Sequence, residues 1–433
     1  MQAKNTVGTA HRTRLCASLA AAFGLVSGVN AAVPIPVTNC TDDDVVGSLR
    51  NVIAGVVNPG ETIDVSSCGS ITLTQGEIAI GVAMTIAGPS GGATTTIDAN
   101  HKSRVFNASV DTEFHAITMT GGLVEDVFKA QGGCILSGDT NSVILQDSVL
   151  TDCTANSPTG AAYGGAIRAG FVTLTNSRVE KSIAYSTSSA LALGGGVSTT
   201  HEFHCTSSTL SGNKALALPT GVGQGGGVFA FGSMTMDSCT VDSNVAQNGG
   251  GVNNYSTGVF DAVSMRNSTI SGNQALTQVG GLYSNHELPL KNSTVAFNSA
   301  PLCGGIFVTN YIIADSNIVA HNTSDDPGCV DLDAKATISG ANNLVSVETS
   351  DLPLDTIVAD PKLTPLADHG GPTQTHGLSL SSPAIDAGSN VDSVSVDQRG
   401  TGFLRDVPSV GYADIGAFER QIDDDEIFYG GFD

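Results

Sequence analysis

The chain has 433 residues, of which 52 are glycine, none is tryptophan and 14% are charged. This composition suits short strands and tight turns better than helical bundles, and a hydrophobic content of 40% argues against wholesale disorder. With 41 acidic residues against 18 basic ones, the formal net charge is −23. Nucleic acid and anionic membranes are therefore excluded as general partners, and polyuronates would need a basic patch or bound calcium.

Residues 1–31 have the pattern of a secretory signal peptide. Basic residues at Arg12 and Arg14 precede the apolar run LCASLAAAFGLVSGV, and small residues allow cleavage after Ala31. The run is too short to span a membrane as a helix. The sequence therefore predicts a chain that is exported by a signal peptide and does not insert into the membrane.

The cysteines indicate an oxidising compartment. Nine are present, and removal of Cys16 with the leader leaves eight, an even number that favours disulfides. Eight cysteines allow 105 pairings. The pairing proposed from sequence proximity is Cys40–Cys68, Cys134–Cys153, Cys205–Cys239 and Cys303–Cys329.

Residues 41–57, TDDDVVGSLRNVIAGVV, predict an amphipathic capping helix. Thr41 or Asp42 is the expected N-cap, and apolar residues follow at helical spacing. Because a solenoid must cover its exposed ends, we expect this helix to close the first coil of the repeats that follow it.

Two interleaved repeats occupy the centre of the chain. Glycine clusters open at Gly132, Gly164, Gly194, Gly225, Gly249, Gly280 and Gly304, and a second motif, typified by SSTLSGN and NSTISGN, ends at Asn213, Asn244, Asn273 and Asn298. Segments between them alternate with a period of two, as strands do. We therefore predict an all-β right-handed parallel β-helix over residues 32–350, with the asparagines stacked from coil to coil.

The C-terminal part of the chain differs from the repeats. Residues 351–420 are richer in Pro and Asp and are predicted to form an irregular cap on the last coil; an independent domain is the alternative. Residues 421–433 form an acidic tail, which is either a sorting signal or a frayed terminus.

Several segments resemble known bacterial families. SLRNVIAG, AITMTGG and the glycine and Asn repeats resemble surface proteins with right-handed β-helix repeats, and VAFN is similar to the FxxN motif of polymorphic outer-membrane proteins. DPKLTPLADHGGPTQTHGLSLSSPAIDAG, DQRG and DIGAFE resemble the choice-of-anchor Q domain. The resemblance implies a pectin lyase-like fold and display at the outer surface of a Gram-negative bacterium, or secretion from it.

Strand parity assigns an outward face to part of the glycine repeat. Aligned on the first glycine of each cluster, the apolar column containing Val252, Tyr283 and Phe307 points inward. Phe231, Tyr255 and His286 then form an outward ladder, with Phe229 and Asn253 beside it, and flat rings with amides suit sugar faces. The alternatives are that loops bury these rings, or that a one-residue slip exchanges the columns.

Candidates for catalysis are sparse. His201, Glu202 and His204 are an acid/base pair or metal ligands in one interpretation and ordinary loop residues in the other. Asp325, Asp326, Asp331 and Asp333 are calcium candidates without EF-hand spacing.

The sequence favours a non-catalytic, adhesin-like or glycan-binding scaffold. Its expected partner is a polysaccharide or the surface of a host or neighbouring cell, and no cofactor other than calcium is implied. A polysaccharide lyase or glycoside hydrolase on the same scaffold is the alternative. A cluster of carboxylates with a basic residue in one groove would favour that enzyme.

Overall fold

A computed structural model of the chain describes residues 33–188, 190–258, 260–349, 352–390, 392–405 and 412–421. The predicted signal peptide and the tail after Gln421 lie outside the described residues. Four sheets of parallel strands, here named A to D, contain 20, 12, eight and four strands. The coils from Thr112 onward pass through A, B and C in turn, and some of them also contribute a strand to D, before the chain returns to A, in most cases through a glycine corner. The two coils before them return to A directly from B. The predicted parallel β-helix is thereby confirmed.

Sheet A consists of two strand columns, A1 and A2, which two long strands share. Column A1 contains Ile78–Ile80, Phe106–Ala108, Ile135–Ser137, Ile167–Thr175, Val197–Thr206, Val228–Phe231, Val252–Tyr255, Leu282–Ser284, Ile306–Val308 and Leu332–Ala334. Column A2 contains Ile35–Pro36, Glu61–Asp64, Met84–Ala87, Thr112–His115, Ser142–Gln146, the two long strands Ile167–Thr175 and Val197–Thr206, Ser233–Asp237, Val263–Arg266, Leu288–Lys291, Ile312–Asp315 and Ile338–Ala341.

The other sheets are built from shorter strands. Sheet B contains Ser70–Thr72, Thr95–Asp98, Ile117–Thr120, Val149–Thr151, Arg178–Glu180, Thr209–Ser211, Thr240–Asp242, Thr269–Ser271, Thr294–Ala296, Ile318–Ala320, Leu344–Val345 and Ile357–Val358. Sheet C contains Leu123–Glu125, Thr154–Ser157, Ile183–Ser186, Lys214–Ala217, Val245–Ala246, Gln274–Ala275, Ser299–Ala300 and Thr323–Ser324, and sheet D contains Lys129–Gln131, Ala161–Tyr163, Leu191–Leu193 and Val222–Gln224.

The glycine clusters form the corner that leads into column A1. Gly164 has a φ of +61°, a region that favours glycine, and a Cβ on the next residue, Gly165, would collide with the carbonyl oxygen of Gly195 on the following coil. Both the turn and the close stacking of coils therefore require glycine here.

A ladder of buried asparagines follows the axis at the corner between sheets B and C. The Nδ2 of Asn213 donates to the Oδ1 of Asn244 at 3.0 Å, and the same bond links Asn244 to Asn273, Asn273 to Asn298 and Asn298 to Asn322. The predicted coil-to-coil stacking is confirmed. The ladder ends when Asn322 donates to Asp331, a fully buried carboxylate.

The N-terminal helix is present but shorter than predicted. It spans Leu49–Gly55, and its N-cap is Ser48, whose side chain accepts a hydrogen bond from the backbone N–H of Asn51. The prediction of Thr41 or Asp42 as the cap is therefore wrong. The Asp42 carboxylate instead pairs with Arg50, 2.8 Å away, because the intervening residues form a turn.

Four disulfides cross-link the β-helix in the predicted pairing: Cys40–Cys68, Cys134–Cys153, Cys205–Cys239 and Cys303–Cys329. They agree with an extracellular or otherwise oxidising environment. Across the part of the chain that the structure describes, no helix is long and apolar enough to cross a bilayer.

The C-terminal segment caps the last coil, as predicted, only where it begins. Leu352 packs against the main core there, and Ile357–Val358 pairs with Leu344–Val345 as the final strand of sheet B, but the rest of the segment runs back along the outer face of sheet B. Threonine hydroxyls there bond the segment: Thr240 donates to the carbonyl of Gln374 at 2.7 Å, Thr269 donates to the side chain of Gln398 at 2.6 Å, and Thr294 accepts from a backbone N–H. This row of hydroxyls supplies hydrogen-bond donors and acceptors for the polar C-terminal segment along the outer face of sheet B.

Candidate functional site

Pairing within column A1 corrects the predicted orientation of two aromatic residues. Val252 pairs with Leu282, and Leu282 pairs with Ile306, so Tyr283 and Phe307 are not in the inward column. The last two copies carry two glycines rather than three, and Val279 and Cys303, a bridged pair, precede them. Alignment on the first glycine therefore shifted these copies by one residue, and both rings face outward.

The outward positions of column A1 consequently hold a different set of side chains from the predicted one. Phe229 pairs with Asn253, Asn253 with Tyr283 and Tyr283 with Phe307. The exposure expected for the first two is not found, because Phe229 is 6% exposed and Asn253 is 0% exposed. The part of this column next to the glycine corner is therefore shielded from solvent at Phe229 and Asn253. Further along the axis, Tyr283 and Phe307 pack against a small cluster that contains the disulfide Cys303–Cys329.

Phe231 and Tyr255 form the exposed part of the predicted ladder. They are paired on neighbouring strands, are 36% and 43% exposed, and their ring centroids are 6.0 Å apart. His286 is not part of this ladder, because the next strand ends at Ser284 and His286 lies beyond it. A pair of aromatic residues, rather than the predicted ladder of three, therefore occupies this position.

Together the exposed pair and the two corrected rings form an aromatic strip, which consists of Phe231, Tyr255, Tyr283 and Phe307. The rings of Tyr283 and Phe307 are stacked with centroids 6.3 Å apart, and the Nζ of Lys335 lies 5.8 Å from the centroid of Phe307. Burial raises the pKa of the Tyr283 hydroxyl, and the neighbouring Tyr255 hydroxyl raises it further. The strip thus takes one ring from each of four consecutive coils. Tyr283 and Phe307 lie two positions nearer the glycine corner than Phe231 and Tyr255, because Tyr283 pairs with Asn253 and not with Tyr255.

The side-chain amide of Asn253, next to the strip in column A1, is fully buried without a hydrogen-bond partner among the described residues. An unpaired buried polar group costs about 1–3 kcal/mol. Asn253 therefore contributes no polar contact at the surface of the strip.

The histidine candidates are only partly brought together. Nε2 of His204 lies 3.0 Å from Oε2 of Glu202, and its Nδ1 lies 2.6 Å from the hydroxyl of Thr235. The ring of His201 stacks instead on Phe171, with centroids 5.0 Å apart. The outer face of column A2 therefore carries a His–Glu pair, not a three-residue cluster.

The calcium candidates are dispersed. Asp331 is buried, and its two oxygens accept hydrogen bonds from Asn322, Ser346 and the N–H of Val347. Asp325 and Asp326 are exposed and Asp333 is partly buried. Among the residues that the structure describes, no group of three or more His, Cys, Asp or Glu is placed to hold a metal ion.

A cleft that the sequence did not predict lies between the outer face of sheet B and residues 368–374 of the C-terminal segment. It has a volume of about 280 Å³ and is lined by Arg178, Glu180, Thr209, Ser211, Asp242, Asp368, Gly371, Pro372, Thr373 and Gln374. Its charged residues come from two different copies of the Asn-ending repeat and from a distant segment. Alignment of that repeat would have placed Glu180, Ser211 and Asp242 in one column.

Comparisons with known proteins give similarity at the level of the fold. Neither a protein-family profile nor a curated protein matches the chain, so the resemblances to the choice-of-anchor Q domain and to outer-membrane proteins gain no support. Among solved structures, the chain is similar to the pectate lyase Pel9A, with 15% sequence identity and a TM-score of 0.49, over 90% of this chain and 96% of that one. No residue or reaction of that enzyme is carried over to this chain.

Proposed function

We propose that the mature chain is an exported glycan-binding protein, which uses the aromatic strip to hold a polysaccharide or the surface of a host or neighbouring cell. Binding at the strip needs no reacting group and no cofactor, so this activity is adhesin-like and non-catalytic. The observation that carries the proposal is the placement of two ring pairs, Phe231 with Tyr255 and Tyr283 with Phe307, on the outward side of column A1, with the second pair offset from the first by two residues along the strand.

Ring spacing along the axis supports a linear ligand. Neighbouring parallel strands lie about 4.8 Å apart, so the four rings extend over roughly 14 Å. Aromatic faces bury apolar area while hydroxyl and amide groups at their edges satisfy polar ligands. Each ring adds one weak contact, and contacts made by one continuous polymer add up along the axis.

Charge restricts the class of glycan. The net charge of −23 repels polyanions, whereas the strip is uncharged apart from Lys335 over the ring of Phe307. Neutral polysaccharides are therefore the expected ligands, and neither nucleic acid nor an anionic membrane is proposed as a partner.

Export is part of the same proposal. Four disulfides fit a secreted or outer-surface protein, and residues 1–31 read as the signal peptide that would direct it there. Residence at the outer surface of a Gram-negative bacterium, with a sorting role for the tail, is tested by surface retention of chains with and without residues 423–433.

The binding proposal is tested on a glycan and polysaccharide array with purified residues 32–433. The decisive variant combines Phe231→Ala with Tyr255→Ala, and the matched control is Phe128→Ala, an exposed phenylalanine away from the strip. We expect the double variant to lose at least tenfold in affinity for the captured neutral glycan, while the control binds as the unmodified chain does.

Equal binding by the double variant and the control would overturn the role of the strip, provided that circular dichroism shows both to be folded. The His204–Glu202 pair supports the alternative of a polysaccharide lyase or hydrolase on column A2. Release of reducing or unsaturated ends in the same assay, abolished by His204→Ala, would favour that enzyme over simple binding.

A further inference from the structure

The cleft on sheet B is a walled cavity that mixes ionic and hydroxyl groups. One wall is the sheet itself, which presents Arg178, Glu180 and Asp242, and the opposite wall is the chain from Asp368 to Gln374. The C-terminal segment covers the sheet from Thr240 onward. The cleft therefore opens where this cover ends, and solvent can reach side chains that the cover partly shields.

Strand register places two acidic residues of the cleft in one column. Glu180 pairs with Ser211, and Ser211 pairs with Asp242, so all three occupy one outward column. Two strand spacings of about 4.8 Å place the Cα atoms of the two acids roughly 10 Å apart. A Cα separation of this size permits the spacing of about 6.5–9.5 Å between carboxyl groups that inverting glycosidases use, which leaves room for a water molecule.

The environments of the two acids differ in the way that acid and base catalysis requires. Asp242 is 8% exposed, and burial raises its pKa against the opposing hydrogen bonds from Ser211 and Ser243. The Glu180 carboxylate lies 3.3 Å from the guanidinium of Arg178 in an ion pair. One acid is thus held toward its neutral form by burial, while the other lies beside a guanidinium group at the solvent-accessible surface.

We propose that this cleft hydrolyses an O-glycosidic bond of a neutral glycan with inversion at the anomeric carbon, Asp242 acting as general acid and Glu180 as general base. Asp242 gives its proton to the glycosidic oxygen as the bond from that oxygen to C1 breaks. Glu180 takes a proton from a water molecule, whose oxygen forms the new bond to C1. One water is consumed, and solvent returns the proton from Glu180 to Asp242.

The lining of the cleft defines the class of substrate. A volume of about 280 Å³ is suited to one terminal sugar residue rather than to the middle of a polymer chain. Three carboxyl groups disfavour uronates, and Thr209 adds a hydroxyl group to the lining of the cleft. The cleft lies on sheet B, and the aromatic strip lies on sheet A, so the two activities are independent.

The test incubates purified residues 32–433 with neutral oligosaccharides and polysaccharides and measures released reducing sugar. Asp242→Asn and Glu180→Gln remove the acid and the base with little change in shape, and Glu125→Gln alters an exposed carboxylate on sheet C as the matched control. General acid and base groups contribute typically 10²- to 10⁴-fold in rate. We expect both variants to lose at least 100-fold, the control to be unchanged, and proton NMR to show an inverted anomer as first product.

Three results would overturn the proposal: no sugar release from any neutral substrate, release that persists in either folded variant, or a product with retained configuration. Glu180 is partly exposed rather than in the core, so Glu180→Gln should fold. This variant therefore tests the proposal even if Asp242→Asn does not fold. Circular dichroism and thermal melting of each variant establish folding before the rates are compared.

Discussion

The asparagine ladder makes a directional prediction about Asp331. Each asparagine donates its Nδ2–H to the next residue along the ladder and accepts from the preceding one, so the last member needs to accept only. Asp331 meets this requirement: one oxygen accepts from Asn322, and the other accepts from the N–H groups of Ser346 and Val347 and from the Ser346 hydroxyl. We therefore expect Asp331→Asn, which barely changes the shape, to destabilise the fold.

The magnitude follows from the contacts that the amide group cannot make. If the new Oδ1 faces Asn322, the new NH₂ group faces three donors, and three hydrogen bonds to a buried carboxylate oxygen are lost. Hydrogen bonds to charged groups contribute about 1.5–3 kcal/mol each. Partial rearrangement of Ser346 can recover one of them, so we expect a loss of about 3–6 kcal/mol.

The assay is equilibrium unfolding in guanidinium chloride, monitored by circular dichroism, with purified residues 32–433 in EDTA. Asp325→Asn is the matched control, since this neighbouring carboxylate is exposed; we expect its midpoint to move by less than the equivalent of about 0.5 kcal/mol. A midpoint for Asp331→Asn within that range would refute the proposed polarity of the ladder. A second unfolding series replaces EDTA with calcium; stabilisation of the unmodified chain by calcium, lost in Asp331→Asn, would support the calcium site suggested by the sequence.

Three further predictions concern burial. Burial raises the pKa of Glu419 from 4.5 to about 9, so between these pH values the folded state keeps a proton that the unfolded chain releases. The free energy of unfolding should therefore fall by up to about 1.4 kcal/mol per pH unit as the pH rises from 4.5 to 9. Glu419→Gln should flatten this slope when unfolding is measured across that range. Asn253→Val removes two unpaired buried polar atoms and should leave the free energy of unfolding equal or raise it. A loss of more than about 1 kcal/mol in equilibrium unfolding would contradict this expectation. Gly165→Ala places a methyl group against the next coil and should cost at least about 3 kcal/mol, whereas Gly69→Ala, with open space around its Cβ, is the control.

Sequence patterns were sufficient for features that depend on local spacing. Glycine corners and alternating strands predicted the coil, and the repeated asparagines predicted the ladder, because each coil repeats the same local geometry. The cysteines paired with near neighbours in sequence for a related reason: the separations of 19 to 34 residues are close to one coil or shorter, so each disulfide lies within one coil or joins neighbouring coils. No long-range information was needed for these predictions.

Predictions failed where the orientation or burial of a residue depended on a single missing glycine or on contacts with segments far away in the sequence. The loss of one glycine before Tyr283 moved that ring from the core to the surface, and the glycine pattern alone did not reveal which glycine was absent. The burial of Asn253 depends on neighbouring rings, not on its own strand. The path of the C-terminal segment depends on hydroxyls such as Thr269, more than 100 residues earlier in the chain.

The cleft depends both on the local spacing of the repeat and on the long-range path of the C-terminal segment. For this reason it was not predicted from the sequence. Glu180 and Asp242 belong to different copies of one repeat, and their register could be read from Ser182 and Asn244, which end the two copies. The third strand position reads Glu, Ser, Asp, Ser in successive copies. What sequence could not supply is the second wall, because Asp368 reaches the cleft only through the backward path of the C-terminal segment. A solenoid places chemistry in columns that the repeat reveals, but a pocket needs a cover from outside the repeat. Variants of the repeat column and of the covering segment should therefore affect different kinetic constants. Asp242→Asn should abolish hydrolysis, whereas Asp368→Asn should chiefly weaken substrate binding and raise KM.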